Sequence, residues 1–469
     1  MTLYDDATAT AAAISAGEVS AREVVEDAIA RIEKGDGELN TVVARRFDEA
    51  LAEVDAGLPA GPLHGVPTLI KDLGLQVAGL PLTRGSKLWA DDVQSVDSEL
   101  VQRYRRAGMV VLGMTNSPEL GKNASTEPVH HGPTRNPWSA GHSAGGSSGG
   151  SAAAVSAGFV PVAHGNDGGG SIRIPASACG LFGLKPSRGR VTTHPAPGSL
   201  AAPLSCNHVL SRSVRDSALL LDLSSAPLPG DAFAAPTPTT TFVEQAGREP
   251  LRLRIGLATR RADGGRVDEE MVAVVRRTAA LCEDLGHHVE ETELTYDAEL
   301  LMTGFATMMG VSLLAAVDHR LADLGRGLAD DDLEPFTRLL HEHYSATMTA
   351  VQVHDALEAL QLVGWQLGES FRSFDLLLTP TLPMSVPELG YLDTTDPMAM
   401  WERGSDYSSF TAVANATGSP AMSVPCGLDS HGLPMGAHFI ADLGSEGTLL
   451  SLAAQLEAAA PWPLLAPTK

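Results

Sequence analysis

The chain has 469 residues, 43% of them hydrophobic, so it can bury a large core and is not intrinsically disordered. Its formal net charge of −24 argues against nucleic acid or an anionic membrane surface as the main partner, because both need basic patches. The four cysteines (Cys179, Cys206, Cys282 and Cys426) are widely spaced and form no C-x-x-C pair, which speaks against a disulfide framework or a structural zinc.

The first twelve residues carry Asp5 and Asp6 and no basic group, so no secretory signal is expected. No run approaches 18 consecutive apolar residues, so no membrane span is expected, and the expected location is the cytoplasm. Residues 6–15 read as a short helix. Ser20-Ala21-Arg22-Glu23 is a capping-box pattern that opens a second helix with Val24, Val25, Ala28 and Ile32 at helical spacing. Gly35-Asp36-Gly37 is expected to end it, and a third helix follows over 47–56. This helical section, residues 1–60, is assigned no chemistry.

A glycine–proline turn at 61–65 leads into a short apolar strand, 66–70, with Lys71 at its end. Residues 98–107 read as a helix and 110–114 as a strand. The polar stretch 123–132 is irregular and could line the mouth of a site. His130, His131 and His142 lack metal-ligand spacing. His341-Glu342-His343 is not a zinc H-E-x-x-H site, because Ser345 stands where the second histidine is needed.

The densest stretch is 141–186. It holds two glycine–serine loops, Gly145-Gly146-Ser147-Ser148-Gly149-Gly150-Ser151 and Asp167-Gly168-Gly169-Gly170-Ser171-Ile172-Arg173. Between them the alanine- and valine-rich run 152–162 is long enough for about three helical turns. The first loop lacks both G-x-G-x-x-G spacing and the lysine of a phosphate loop.

Further on, residues 204–225 include an apolar helix, and 226–250 is a proline- and threonine-rich surface connection. A strand at 252–258, a helix capped by Asp268 with Val272, Val275, Ala279 and Cys282 on one face, and a strand at 288–294 imply a parallel crossover unit. Residues 298–371 are helical and contain Met302, Met308 and Met309. Strands follow at 376–378, closed by Thr379-Pro380, and at 421–424 and 436–440. A helix over 446–459 turns Leu449, Leu452 and Leu456 inward. No internal repeat is visible.

Two serines on tight glycine turns and one lysine behind an apolar run are the parts of a serine hydrolase that uses no histidine. A serine hydroxyl is a poor nucleophile until a base takes its proton. Lysine can serve as that base only when neutral, and burial favours the neutral form.

Four features resemble the amidase signature family: Lys71-Asp72 after an apolar run, the Gly-Gly-Ser-Ser-Gly-Gly loop, Gly169-Gly170-Ser171-Ile172-Arg173 with Ser171 24 residues after Ser147, and Gly180-Leu181-Phe182-Gly183-Leu184-Lys185-Pro186. Thr134-Arg135-Asn136-Pro137-Trp138, His164-Gly165-Asn166-Asp167 and Arg173-Ile174-Pro175-Ala176-Ser177 look most like the branch containing 6-aminohexanoate cyclic-dimer hydrolases. The resemblance covers nearly the whole chain. It implies one α/β domain, a mixed central β-sheet covered on both sides by α-helices. Residues 61–225 would form its catalytic core, 226–375 a variable substrate-pocket region, and 376–469 the strands and helix that complete the sheet.

The resemblance also implies roles. Ser171 is the nucleophile, Ser147, on a cis peptide bond after Gly146, relays its proton, and Lys71 is the general base. The oxyanion hole falls at Gly168, Gly169, Gly170 and Ser171. Ser148 supports Lys71, and Asp167 and Arg173 hold the loop. Gly168 departs from the isoleucine or threonine often found there in the family. No metal or organic cofactor is implied. The expected partners are water and a small or oligomeric amide of nylon-oligomer or aryl type, or a carbamate, and homodimers are common in the family. The rival readings are a glutamine-dependent amidotransferase subunit and a catalytically inactive binding protein. The intact Lys71, Ser147 and Ser171 set speaks against the second.

Overall fold

Side chains alternate between the two faces of a strand, so a strand buried on both faces must lie between two layers. In the computed structural model, which describes residues 5–196 and 202–467, the central strands are buried at every position. Helices α1 (Ala7–Ser15) and α2 (Ala21–Leu39) precede strand β1 (Val42–Arg45) and helix α3 (Phe47–Ala56). Then come β2 (Pro67–Lys71), α4 (Glu99–Arg106) and β3 (Val110–Thr115). A small hairpin, β4 (Arg135–Asn136) and β5 (Ser139–Ser143), leads into α5 (Gly149–Ser156), β6 (Val162–Asp167) and α6 (Arg173–Cys179). Strands β7 (Phe182–Lys185) and β8 (Cys206–Ser211), helices α7 (Val214–Ser224) and α8 (Phe242–Ala246), strand β9 (Arg254–Leu257), helix α9 (Glu269–Asp284) and strand β10 (His288–Glu291) follow. Three helices, α10 (Ala298–Leu324), α11 (Pro335–Thr347) and α12 (Ala350–Ser373), precede β11 (Leu376–Pro380), α13 (Pro397–Tyr407) and α14 (Ala412–Thr417). Strands β12 (Ala421–Leu428) and β13 (Pro434–Ala441) and helix α15 (Glu446–Ala459) close the described chain.

Among the described residues, eleven strands form one sheet in the order β1-β3-β2-β6-β8-β7-β12-β13-β11-β9-β10. Strands β3, β2 and β6 are mutually parallel, as are β11, β9 and β10, and the strands between run antiparallel. The parallel β9–α9–β10 unit is the crossover that the strand–helix–strand spacing implies. Ile70, Val111, Val162, Leu378, Met422 and Phe439 point into one core cluster with α4, α7, α9 and α15. Their strand neighbours point the other way. Leu69, Val110, Leu112 and Ala163 pack under α2 and α5, while Leu377 and Ile440 pack under α10, α12 and α14. The result is a single α/β domain with a mixed sheet between helices, as the resemblance implies.

Several expectations are corrected. Helix α2 does not stop at Gly35-Asp36-Gly37 but continues to Leu39 and ends at Asn40, whose φ is 54°. Gly35 lies against the Phe159 ring, where a Cβ would come within 2.8 Å. Asp36 Oδ1 accepts from the Thr41 amide and hydroxyl, both at 2.6 Å. The triplet is therefore a packing and anchoring feature inside the helix. The alanine- and valine-rich run is split, because α5 ends at Ser156 and Val162 already opens β6. Asp268 precedes α9 without a side-chain cap bond and pairs instead with Arg266 at 3.4 Å. Strands β1, β4, β5, β6, β7 and β8 and helices α6, α8, α13 and α14 had no sequence expectation. Helix α10 is the one described helix long and apolar enough to cross a membrane, although it packs against the core and lines the cavity. Its most apolar 18-residue window has a mean hydropathy of 1.9, enough by length and composition alone to cross a membrane. Glycine, serine and threonine interrupt its apolar residues, so no unbroken run marks it.

Candidate active site

Strands β2 and β6 are parallel neighbours, with Thr68 opposite Val162 and Leu69 opposite Ala163. They therefore end on the same edge of the sheet, where ligands gather in α/β folds. Lys71 is the last residue of β2, and Asn166 and Asp167 are the last residues of β6. The pairing brings together side chains 95 residues apart: Lys71 Nζ lies 2.7 Å from Asn166 Oδ1. It also lies 2.7 Å from Ser147 Oγ. The Asn166 amide donates to the Leu73 carbonyl at 2.8 Å, which fixes its orientation. Sequence reasoning gave Asn166 no role beyond its place in the motif His164-Gly165-Asn166-Asp167.

Lys71 is fully buried, and burial pushes its amine well below the ordinary lysine value. Asp167 and Asp72 pull the other way without reversing it. His164 lies beside it, its Nδ1 accepting from the Lys71 amide at 3.3 Å. Burial pushes His164 down to about 3, so its imidazole is neutral at ordinary pH.

The first glycine loop enters from the side. The Gly146–Ser147 peptide is cis, as the resemblance implies. A Cβ on Gly146 would lie 2.8 Å from backbone atoms of Asn123, Ala124 and Ser125, so the close approach of the two chain segments requires glycine there. The Ser148 amide donates to the Ser171 carbonyl at 3.3 Å and joins the two loops. Ser148 was expected to support Lys71. Its hydroxyl instead donates to the Asn166 carbonyl at 3.2 Å, so it acts on the lysine only through Asn166.

The second loop is held by a buried ion pair. Arg173 Nε and Nη2 each lie 2.9 Å from the Asp167 carboxylate. Burial opposes charge on Asp167, but Arg173 outweighs it and holds the carboxyl well below the usual range. The remaining guanidinium hydrogens go to the Thr411 carbonyl at 2.9 Å, Asn415 Oδ1 at 2.7 Å and His438 Nε2 at 2.9 Å. Asn415 donates back to Asp167 Oδ1 at 2.9 Å. Thr411 Oγ1 donates to the Gly169 carbonyl at 2.6 Å. Thr411, Asn415 and His438 thus complete the frame of the loop, and none was singled out from sequence.

One expected oxyanion donor is corrected. The Gly170 N–H donates to Asp167 Oδ1 at 2.7 Å and is not free. Its φ of +137° turns the amide toward the carboxylate, and a Cβ would lie 2.3 Å from Thr411 Oγ1. The amides of Gly168, Gly169 and Ser171 have no hydrogen-bond partner among the described residues, and all three residues line a cavity of about 520 Å³. Ser147 and Asn166 line it as well. A Cβ on Gly168 would meet nothing nearer than Ser205 Oγ at 3.7 Å, so its glycine leaves open space where a larger side chain would stand.

Much of the remaining wall is apolar, interrupted by hydroxyl side chains such as Thr303, Tyr344, Ser405 and Ser408. Leu301, Met302, Phe305 and Met309 of α10 line it with Met400 and Trp401 of α13. Met308, grouped with its neighbours in the sequence, is buried in the core instead. Lys122, Asn123 and Ala124 show that the irregular stretch after β3 does reach the site. Among the described residues no group of three histidine, cysteine, aspartate or glutamate side chains is placed to hold a metal ion.

Comparison with known proteins shows the family of the chain. Residues 23–450 match the Amidase family. A 6-aminohexanoate-cyclic-dimer hydrolase from Paenarthrobacter ureafaciens is 38% identical over 98% of this chain and 96% of its own length. A solved structure of 6-aminohexanoate cyclic dimer hydrolase complexed with substrate superposes with a TM-score of 0.93 at 37% identity, covering 98% of each chain. A bacterial aryl acylamidase of the amidase signature family superposes with a TM-score of 0.87 at 31% identity, covering 97% of this chain and 96% of the other. The chain belongs to the amidase family and is a hydrolase of non-peptide carbon–nitrogen bonds.

Proposed function

We propose that the cavity cleaves a small or oligomeric amide through Ser171, Ser147 and Lys71. The observation that carries this reading is the buried Lys71 amine 2.7 Å from Ser147 Oγ, beneath a cavity that also opens on Ser171. Neutral Lys71 takes a proton from Ser147, which takes one from Ser171. Ser171 attacks the amide carbonyl. The free amides of Gly168, Gly169 and Ser171 receive the oxyanion, and one such donor contributes about 2.7–4 kcal/mol in the transition state. The proton passes back to the leaving amine, and water then hydrolyses the acyl-enzyme.

The apolar walls suit a substrate with a hydrocarbon or aromatic body. The related cyclic-dimer hydrolase and aryl acylamidase favour a nylon-oligomer or aryl amide. A carbamate would undergo the same serine chemistry. The test is hydrolysis of a panel by wild type and Ser171→Ala: 6-aminohexanoate cyclic dimer, an aryl acetamide, an aryl carbamate, glutamine and a fatty acid amide. Turnover of an amide or carbamate, lost in the variant, is expected. Turnover retained in Ser171→Ala overturns the assignment, and hydrolysis of glutamine alone would mark an amidotransferase subunit.

A further inference from the structure

Among the described residues that line the cavity, Lys122 is the one basic side chain, and none is acidic. Its Nζ donates to the Met309 carbonyl at 2.9 Å and lies 3.8 Å from the Met309 sulfur. The residue is half-buried and faces the cavity. No neighbouring charge offsets its surroundings, and burial pushes the amine down to about 7.

Its place along the wall is defined from both sides. Gly121, the preceding residue, sits against the catalytic floor: a Cβ there would lie 3.3 Å from Ser147 Oγ. Met309, which holds the amine, is four residues along α10 from Phe305, whose ring closes over Gly169. Lys122 is therefore tied to α10 about 6 Å along the helix from Phe305, on the same wall as the Gly168–Ser171 loop.

An ammonium in an apolar chamber is unfavourable unless a counter-charge joins it. This chain has 57 acidic residues and places none of them in the described cavity wall. The Met309 carbonyl takes one of the three ammonium hydrogens, and a group that takes another must also bring a counter-charge to offset the largely apolar surroundings. A carboxylate brought by the substrate would pair with the amine.

Resting on the amide-hydrolase reading above, we propose that the cavity takes amides bearing a carboxylate a few bonds from the scissile carbonyl, and that Lys122 binds this carboxylate. The preferred substrates are thus half-amides of dicarboxylic acids or amides of amino acids, not fully neutral amides.

The test compares matched pairs on the full-length chain. One set is the mono-4-nitroanilides of succinic, glutaric and adipic acid against their methyl esters. The other is 4-acetamidobenzoate against its methyl ester, which puts the acid on the amine side. In wild type, at least one acid is expected to exceed its ester in kcat/KM by about tenfold or more, mainly through KM. In Lys122→Met that ratio is expected to fall to near one.

Two results overturn the proposal: no acid preference in wild type, or an equal slowing of acid and ester in Lys122→Met, which marks a purely structural tie to α10. The wild-type ratio alone decides the matter if the variant fails to fold. Acids and esters turned over equally well by wild type, with both activities lost in Ser171→Ala, would leave the hydrolase reading standing while the carboxylate preference falls. No hydrolysis of any pair by wild type overturns the carboxylate preference, and the panel above then decides the hydrolase reading separately.

Discussion

The loop from Asp167 to Arg173 and the helices α10 and α13 line the same cavity, yet they are held differently. In the loop, Asp167, Arg173 and Asn415 are fully buried, and their charged and amide groups bond to one another and to backbone. In the helices, Met302 is 39% exposed and Trp401 49% exposed, and both line the cavity. The loop must hold a hydroxyl and several amides to a fraction of an ångström, which only a closed hydrogen-bond network enforces. The helices need to offer a surface of suitable shape, and methionine and tryptophan do so with few directional constraints. On the proposed mechanism, the chemistry resides in directional bonds and the selection in adaptable volume.

The largest effect that would sharpen this contrast belongs to the loop. Ser171→Ala is expected to lower kcat by roughly 10⁴-fold or more, with the melting temperature little changed. Lys71 adds a pH signature to the same experiment. A lysine with a depressed pKa is charged below that value and neutral above it. Activity should therefore rise with pH through a midpoint below the ordinary lysine value of 10.5. The unfolded chain binds the proton more tightly than the folded one, so this group's contribution to stability also grows as pH rises toward the unfolded value. A rate independent of pH across that range would remove Lys71 from the base role.

Next in size is the frame. Arg173→Met leaves the Asp167 carboxylate buried without its partner and is expected to destabilise the fold by about 3–5 kcal/mol in denaturant unfolding. A change under about 1 kcal/mol would show that the pair is not what holds the loop. A helix-wall variant should behave in the opposite way. Trp401→Ala is expected to shift KM several-fold while stability changes by no more than about 1 kcal/mol. A large loss of stability there would break the contrast. The smallest effect is expected from Gly168→Ala, where the space is open, at roughly threefold or less in kcat. Gly170→Ala, forced against Thr411 Oγ1, should lose far more.

The same contrast explains what the sequence disclosed. Lys71, Ser147 and Ser171 stand out because glycine loops and an apolar strand frame them, and those local signals survive without the fold. Asn166 does not stand out, since its value depends on β2 and β6 running parallel. Thr411, Asn415 and His438 reach Arg173 from 238, 242 and 265 residues away, a convergence with no local trace. The end of α2 was misjudged because glycine inside a helix reads as a stop, whereas Gly35 makes room for Phe159. The Gly170 N–H was assigned to the oxyanion because the sequence does not disclose which way each amide of a glycine run points. The α10 face was illegible for another reason: the helix is apolar around much of its circumference, so no stripe marks the side that meets the site.

The most direct test is to trap the acyl-enzyme. Wild type is quenched during turnover of an activated ester such as 4-nitrophenyl acetate, and the adduct is located by mass spectrometry of the digested protein. The account predicts one acyl group, on Ser171, absent from Ser171→Ala and strongly reduced in Lys71→Met. An adduct on Ser147, or labelling of Ser171 that persists at full rate without Lys71, would contradict it.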